Sequence, residues 1–165
     1  MPISEFLAGV RAKVGNDLLI LPSATACVFD DQGRMLVALH KEQGDLWAPP
    51  GGIIEPDESP DDAVVREVRE EIGLDIRVRG LIGAYGGPLY RASYANGDQV
   101  SFVMSVYGCA VAGGALSPDG VEIDEARWLS EPETVGLTMP GWAPAVIIDG
   151  FAWWRASRDA RSPVA

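Results

Sequence analysis

Three glutamates, Glu67, Glu70 and Glu71, stand three and four residues apart. On a helix those spacings place side chains on one face. Like charges so close repel, and each pair weakens an isolated helix by about a few tenths of a kcal/mol. A cation in the gap accounts for the arrangement, because carboxylate oxygens are the donors that hard divalent ions prefer. Gly51-Gly52 lies upstream, where the lack of side chains lets a backbone carbonyl approach the same cation. Glu58 adds a fourth carboxylate, and Arg66, four residues before Glu70, can orient the cluster from one side. The plain alternative is a solvated acidic helix face, which suffices for any one of these glutamates alone.

The helix that must carry them is well marked. Ser59 is a good N-cap with Pro60 at the first helical position. Asp61 and Asp62 sit where the helix dipole favours negative charge. Gly73 suits the left-handed position after the last turn. The spacing predicts a helix over 60–72, with Val64, Val65, Val68 and Ile72 as the stripe that packs on a sheet.

Around it, Ile3, Phe6, Leu7, Val10 and Val14 predict an amphipathic helix over 3–14. Strands are expected at 24–29 and 34–39, joined as a hairpin, and at 75–85, 89–94, 100–111 and 125–129. Asn96-Gly97 marks a second hairpin turn. The segment 41–45 reads as loop, and the prolines and glycines of 47–52 exclude a regular helix there. A helical turn is expected at 130–135, a final apolar helix at 145–155, and a frayed polar tail over 156–165. Helices at the start, middle and end of a strand-rich chain indicate an α/β fold, a mixed sheet with helices on both faces.

The chain has 165 residues and a formal net charge of −11. One domain spanning 1–165 is expected. The acidity argues against polymeric nucleic acid as a partner, but not against nucleotides, since bound cations invert a local field. The two cysteines, Cys27 and Cys109, lie in separate apolar runs, which suits buried thiols and a reducing cytosol. No apolar run reaches the roughly 18 residues of a membrane span, and the N-terminus lacks a signal-type apolar core.

From Gly52 to Leu74 the residues resemble the Nudix box. That pattern is Gly, five residues, Glu, seven residues, Arg-Glu-aliphatic, one residue, Glu-Glu, one residue, Gly-aliphatic. Gly52, Glu58, Arg66, Glu67, Val68, Glu70, Glu71, Gly73 and Leu74 fill its fixed positions. Trp47 and Pro50-Gly51-Gly52 are similar to the family's lead-in, and 122–128 is similar to its late acidic loop and strand. Pro49 departs from the aliphatic residue more common there. The resemblance implies the Nudix fold, a mixed sheet between helices. It also implies hydrolysis of a nucleoside diphosphate linked to a further group X, with magnesium, or in some members manganese, as cofactor.

On that reading the metal ligands are Glu67, Glu70, Glu71 and the Gly51 carbonyl. Arg66 holds a glutamate in place, and Gly52 and Glu58 support the loop–helix geometry. The general base is Glu67 or, on a later loop, Glu122, with Glu125 second to it. Trp47, Arg91 and Tyr94, with His40 and Tyr90 behind them, are candidates to stack on a base or grip a phosphate; packing or surface roles compete for each. Two other functions remain. Prenyl-diphosphate isomerases resemble this fold but use an active cysteine and a histidine-containing metal site, against which His40 as the sole histidine argues. Nucleotide-sensing modules have a decayed box, whereas this one is intact. The identity of X stays open, as does whether Trp142, Trp153 and Trp154 pack internally or form a homodimer contact.

Overall fold

The computed structural model describes residues 4–41 and 44–159. At its centre two long strands run parallel, β1 (Leu19–Phe29) and β7 (Gln99–Gly114), paired from Leu19↔Val100 to Phe29↔Ala110. β2 (Met35–His40) turns back on the end of β1, and β3 (Leu46–Ala48) lies beyond it. On the other side β5 (Leu74–Tyr85) runs antiparallel to β7. Three further strands complete the mixed sheet: β4 (Gly51–Ile53) on β1, β6 (Arg91–Ser93) on β7, and β8 (Ile123–Leu129) on β2.

The pleat of β1 explains the layering. Ala24, Ala26 and Val28 point to one face and Cys27 and Phe29 to the other, all buried. The small residues of the first face allow close approach of α2 (Pro60–Ile72), which buries Ala63, Val64, Val68 and Ile72 there. The second face carries the larger side chains and is covered by α4 (Ala143–Asp159) through Val146, Ile147 and Phe151. This is the α/β architecture expected, with helices on both faces of a mixed sheet. No helix among the described residues is long and apolar enough to cross a membrane.

A third helix, α1 (Glu5–Val14), buries only Leu7 and is fastened by Arg11. That guanidinium donates to the carbonyls of Gly15, Asp17 and Gln99 and lies 3.5 Å from Asp98. The short α3 (Glu131–Thr134) follows Ser130, whose side chain forms a capping box with Glu133.

Several boundaries differ from expectation for identifiable reasons. β1 begins at Leu19 rather than Ala24, because its first residues alternate in exposure and escape a search for an apolar run. The strand expected at 89–94 is a 3-10 turn over Pro88–Tyr90 followed by the three residues of β6. α4 starts at Ala143, with Pro144 in its first turn, where a missing N–H costs nothing. It continues through 156–159, part of the expected tail, where the Ser157 hydroxyl donates back to the Trp153 carbonyl. Ile3, the middle of the 41–45 loop and residues 160–165 lie outside the described residues.

Candidate active site

Ser59 caps α2 by accepting from the Asp62 N–H at 3.3 Å, and Gly73 ends it at φ 77°, the left-handed position. The helix therefore holds its glutamates in fixed register. Their depths are not those of a shared exposed face. Glu67 and Glu71 are only 6% and 4% exposed, whereas Val65, expected on the buried stripe, is 37% exposed. The buried side of α2 thus includes two carboxylates beside the valines. Glu70 stands outside, its side chain 62% exposed.

β4 brings the glycines to this helix. A methyl group on Gly51 would overlap the Ala24 carbonyl of β1, and one on Gly52 would overlap the Glu67 carboxylate. Gly52 is therefore where the backbone must pass directly over Glu67. Gly51 reaches Glu71 with its amide, which pulls that carboxyl down.

Arg66 ties this loop to the helix. Its Nε and Nη2 donate to Glu58 at 2.8 and 2.9 Å, a two-pronged pair, and Nη2 also donates to the Ile53 carbonyl at 3.2 Å. Nη1 lies 2.9 Å from Glu67 Oε1 and donates to Glu70 Oε2 at 3.2 Å. Glu58 in turn accepts from the Glu55 N–H at 3.2 Å. The Arg66 hydrogen bonds hold the Glu58 carboxyl below the ordinary range and push the guanidinium's own pKa up.

Glu67 and Glu71 are shifted the other way. Burial raises Glu67 despite the opposing pull of Arg66. Burial, then the charges of Glu67 and Glu122, push Glu71 up to about 9. Its Oε2 is buried and meets no hydrogen-bond donor among the described residues. Glu122 reaches this group from the loop before β8, half-buried and raised by burial and by Asp119 and Glu70.

Asp119 sets that loop and was not marked by any sequence pattern. Its Oδ1 accepts from the N–H groups of Val121, Glu122 and Ile123 at 3.0, 3.0 and 2.9 Å. Against the effect of burial, those donors hold its carboxyl low. Its own N–H donates to the Glu71 carbonyl at 3.0 Å, and Ser117 donates to Ile72, so the loop is bolted to the end of α2. A run of Asx-type capping bonds of this kind has the signature Asp followed by loop, the one local signal that could have pointed to it.

Glu125 stands elsewhere. The β2–β8 pairing shifts register between Leu39 and His40, so Ile123 faces α2 while Glu125 falls opposite Leu39, on the α4 side. There it binds Arg127 at 2.6 and 2.9 Å, and Arg127 lies 4.7 Å over the Trp47 ring. Trp47 is 9% exposed in the α4-side core, and Tyr90 packs there against Trp142. Neither ring is open for stacking. His40 is buried, and burial lowers its pKa to about 4. Arg91 is exposed on β6. Two of the substrate candidates lie near the cluster: His40, which pairs with Ile123 next to Glu122 and whose Nε2 is buried without a hydrogen-bond partner among the described residues, and Tyr94, whose hydroxyl is raised by burial, with Glu122 adding to the shift.

A cation would find hard oxygen donors here, and the orphaned Glu71 oxygen between two further carboxylates fits one. No three His, Cys, Asp or Glu groups among the described residues converge into a closed cage, however. Arg66 holds Glu67 and Glu70 instead. A cavity of about 370 Å³ is lined by Ile53 and Glu55 of the box loop and by Tyr94. A larger depression of about 760 Å³ opens on the α4 side between Phe29, Trp154 and Arg158, and neither cavity is lined by Glu67, Glu70, Glu71 or Glu122.

A profile of the NUDIX domain matches residues 20–147. The chain belongs to the NUDIX domain family. Among its NUDIX relatives, a putative 8-oxo-dGTP diphosphatase of Bacillus subtilis is 29% identical over 100 residues, covering 61% of this chain and 60% of that protein. An isopentenyl-diphosphate Delta-isomerase of Mycolicibacterium vanbaalenii is 33% identical over 140 residues, covering 81% of this chain and 75% of that protein. The fold is similar to the crystal structure of a UDP-X diphosphatase, with TM-score 0.66 and 21% identity over 98% of this chain and 74% of the other. The chain thus spans less than two thirds of the length of its Bacillus relative. α1 lies outside the NUDIX match altogether.

Proposed function

We propose that this protein hydrolyses the pyrophosphate bond of a nucleoside diphosphate joined to a second group, by attack of water on phosphorus. One observation carries the reading. Glu71 is a carboxylate 4% exposed, with an oxygen that meets no donor, set against Glu67 and Glu122. A purely structural carboxylate at that depth would be paired. This cluster is arranged to receive positive charge that a substrate complex brings.

Glu67, Glu70, Glu71 and the Gly51 backbone are the groups that would hold magnesium. When bound, it neutralises phosphate oxygens and makes water more acidic. The chain supplies the rest. Glu122, half-buried and with its carboxyl raised, is suited to accept the proton of the attacking water, because a general base works best with its pKa nearer the working pH. Glu67, closely engaged by Arg66, is the less available base. Arg66 and Glu58 keep the glycine loop and α2 in register, so the carboxylates do not drift apart. NUDIX relatives named as diphosphatases support the reaction class.

The isomerase relative supports a second reading, isomerisation of a prenyl diphosphate. The cysteines speak against it. Cys27 and Cys109 are 0% and 1% exposed, and burial raises both thiols, Cys109 to about 12. A buried, protonated thiol is inert. The test is turnover on a panel of nucleoside diphosphate derivatives and on isopentenyl diphosphate, with magnesium present. Hydrolysis of at least one nucleotide, lost in Glu67→Gln, is expected. Isomerisation without hydrolysis, or equal turnover by Glu67→Gln, would overturn the proposal.

A further inference from the structure

Glu122 stands on a loop, where a side chain is harder to aim than on a helix. Its backbone is held from both sides. Its N–H donates to Asp119 Oδ1 at 3.0 Å, and its carbonyl accepts from the Lys41 N–H at 3.0 Å. Asp119 joins the loop to α2, whereas Lys41, the residue after β2, joins it to the sheet.

The Lys41 side chain also spans Glu122. Its Nζ donates to the Gly120 carbonyl at 2.7 Å and lies 2.6 Å from Asp124 Oδ1, so it grips the loop on either side of the glutamate. Asp124 is the extra residue of the β2–β8 register shift. Leu39 pairs with Glu125 and His40 with Ile123, which leaves Asp124 without a partner across this ladder. Ala126 and Trp128 pack toward α2, and unbroken alternation would put Asp124 on their side. The bulge puts Ile123 there instead, fully buried, and leaves the Asp124 side chain 47% exposed. Bulges re-aim the side chains next to them, so the direction of Glu122 depends on this one. The Lys41 ammonium holds the bulged carboxylate in place. An ion pair so open to water adds little to global stability. What it does is narrow the orientations of one short loop.

We infer that Lys41 is a positioning residue for the hydrolysis, locking the β8 bulge so that Glu122 faces the carboxylates of α2. The inference rests on the proposed function for what Glu122 does there. The test is a double-mutant cycle on the full chain with the best nucleotide and magnesium, using Lys41→Met, Glu122→Gln and the two combined, with Lys41→Arg beside them. Hydrogen exchange of the Val121, Glu122 and Ile123 amides is followed in the same proteins without metal or nucleotide.

Lys41→Met should lower kcat about tenfold with KM within about twofold of wild type. It should melt as wild type does, while the three amides exchange about tenfold faster. Lys41→Arg, which keeps the charge and the donors, should recover kcat to within about threefold of wild type. In the Glu122→Gln background, Lys41→Met should change kcat by less than about twofold, because a residue acting through Glu122 has nothing further to lose. An equal loss in both backgrounds, Lys41→Arg no better than Lys41→Met, or wild-type kcat in Lys41→Met would overturn the positioning role and leave the hydrolysis standing. No turnover by wild type would sink the hydrolysis, and the lock is then read from the exchange alone. Wild-type exchange of the three amides in Lys41→Met would overturn it.

Discussion

Glu71 is the residue whose state most separates a reactive cluster from a decorative one. Its carboxyl is raised to about 9 from an ordinary value of about 4.5, by burial first and neighbouring charges second. A carboxyl raised in the fold stabilises the fold while protonated. That contribution is whole below about pH 4.5 and is lost as pH rises toward about 9. In metal-free protein, Glu71→Gln removes this pH-dependent loss. The variant should melt a few degrees above wild type at about pH 8, with the gain shrinking at about pH 5, while activity falls by about 100-fold or more. Thermal melts at the two pH values check it; a variant less stable at both would make Glu71 a structural residue. The i, i+3, i+4 pattern made these three glutamates visible as a group. It did not reveal that Glu67 and Glu71 lie inside while Glu70 lies outside, because helical periodicity gives direction around an axis and not depth against a sheet.

The loops on either side of α2 decide that depth. Gly51 and Gly52 are adjacent and both close-packed, yet they face different neighbours. A methyl on Gly52 meets the movable end of Glu67, whereas one on Gly51 meets the β1 backbone. Gly52→Ala should therefore displace Glu67, lowering kcat by about 100-fold with little loss of stability. Gly51→Ala should cost about 2 kcal/mol or more in denaturant unfolding. Equal effects of the two on stability would contradict this division. On the far side, Asp119 holds the loop that delivers Glu122. Asp119→Ala should lower kcat by about tenfold with KM little changed, and Asp119→Asn, which keeps the accepting oxygen, should restore most of it. A failure of asparagine to rescue would mean the charge, not the loop geometry, is what matters. The likeness of the late loop to its family counterpart is what singles out Glu122, and the structure sets its charge near Glu71. Glu125 was misplaced because one register shift at Leu39/His40 reverses which side of β8 faces α2, and a bulge leaves no mark in an alternating pattern.

At the scale of the molecule, the two-faced sheet follows from helices spaced along a strand-rich chain, and that much was readable from pattern alone. The contacts between distant segments were not, because they join residues far apart in sequence. Arg11 reaches Gln99 and Asp98 across the width of the fold. Arg11→Ala leaves Asp98, its side chain 10% exposed, without its cationic partner, and should cost about 3 kcal/mol of stability while loosening α1 from the cavity wall. Denaturant titration reads that loss, and a change under about 0.5 kcal/mol would show α1 to be held by Leu7 alone. The central claim is that carboxylates on and around α2 direct water onto a pyrophosphate phosphorus. The most direct measurement is hydrolysis of the best nucleotide in heavy-oxygen water with magnesium, with the products weighed by mass spectrometry. One phosphoryl product carrying a single heavy oxygen, formed by wild type and not by Glu67→Gln, is the predicted result. Cleavage with no heavy oxygen in either phosphoryl product, or labelled product formed equally by Glu67→Gln, would contradict it.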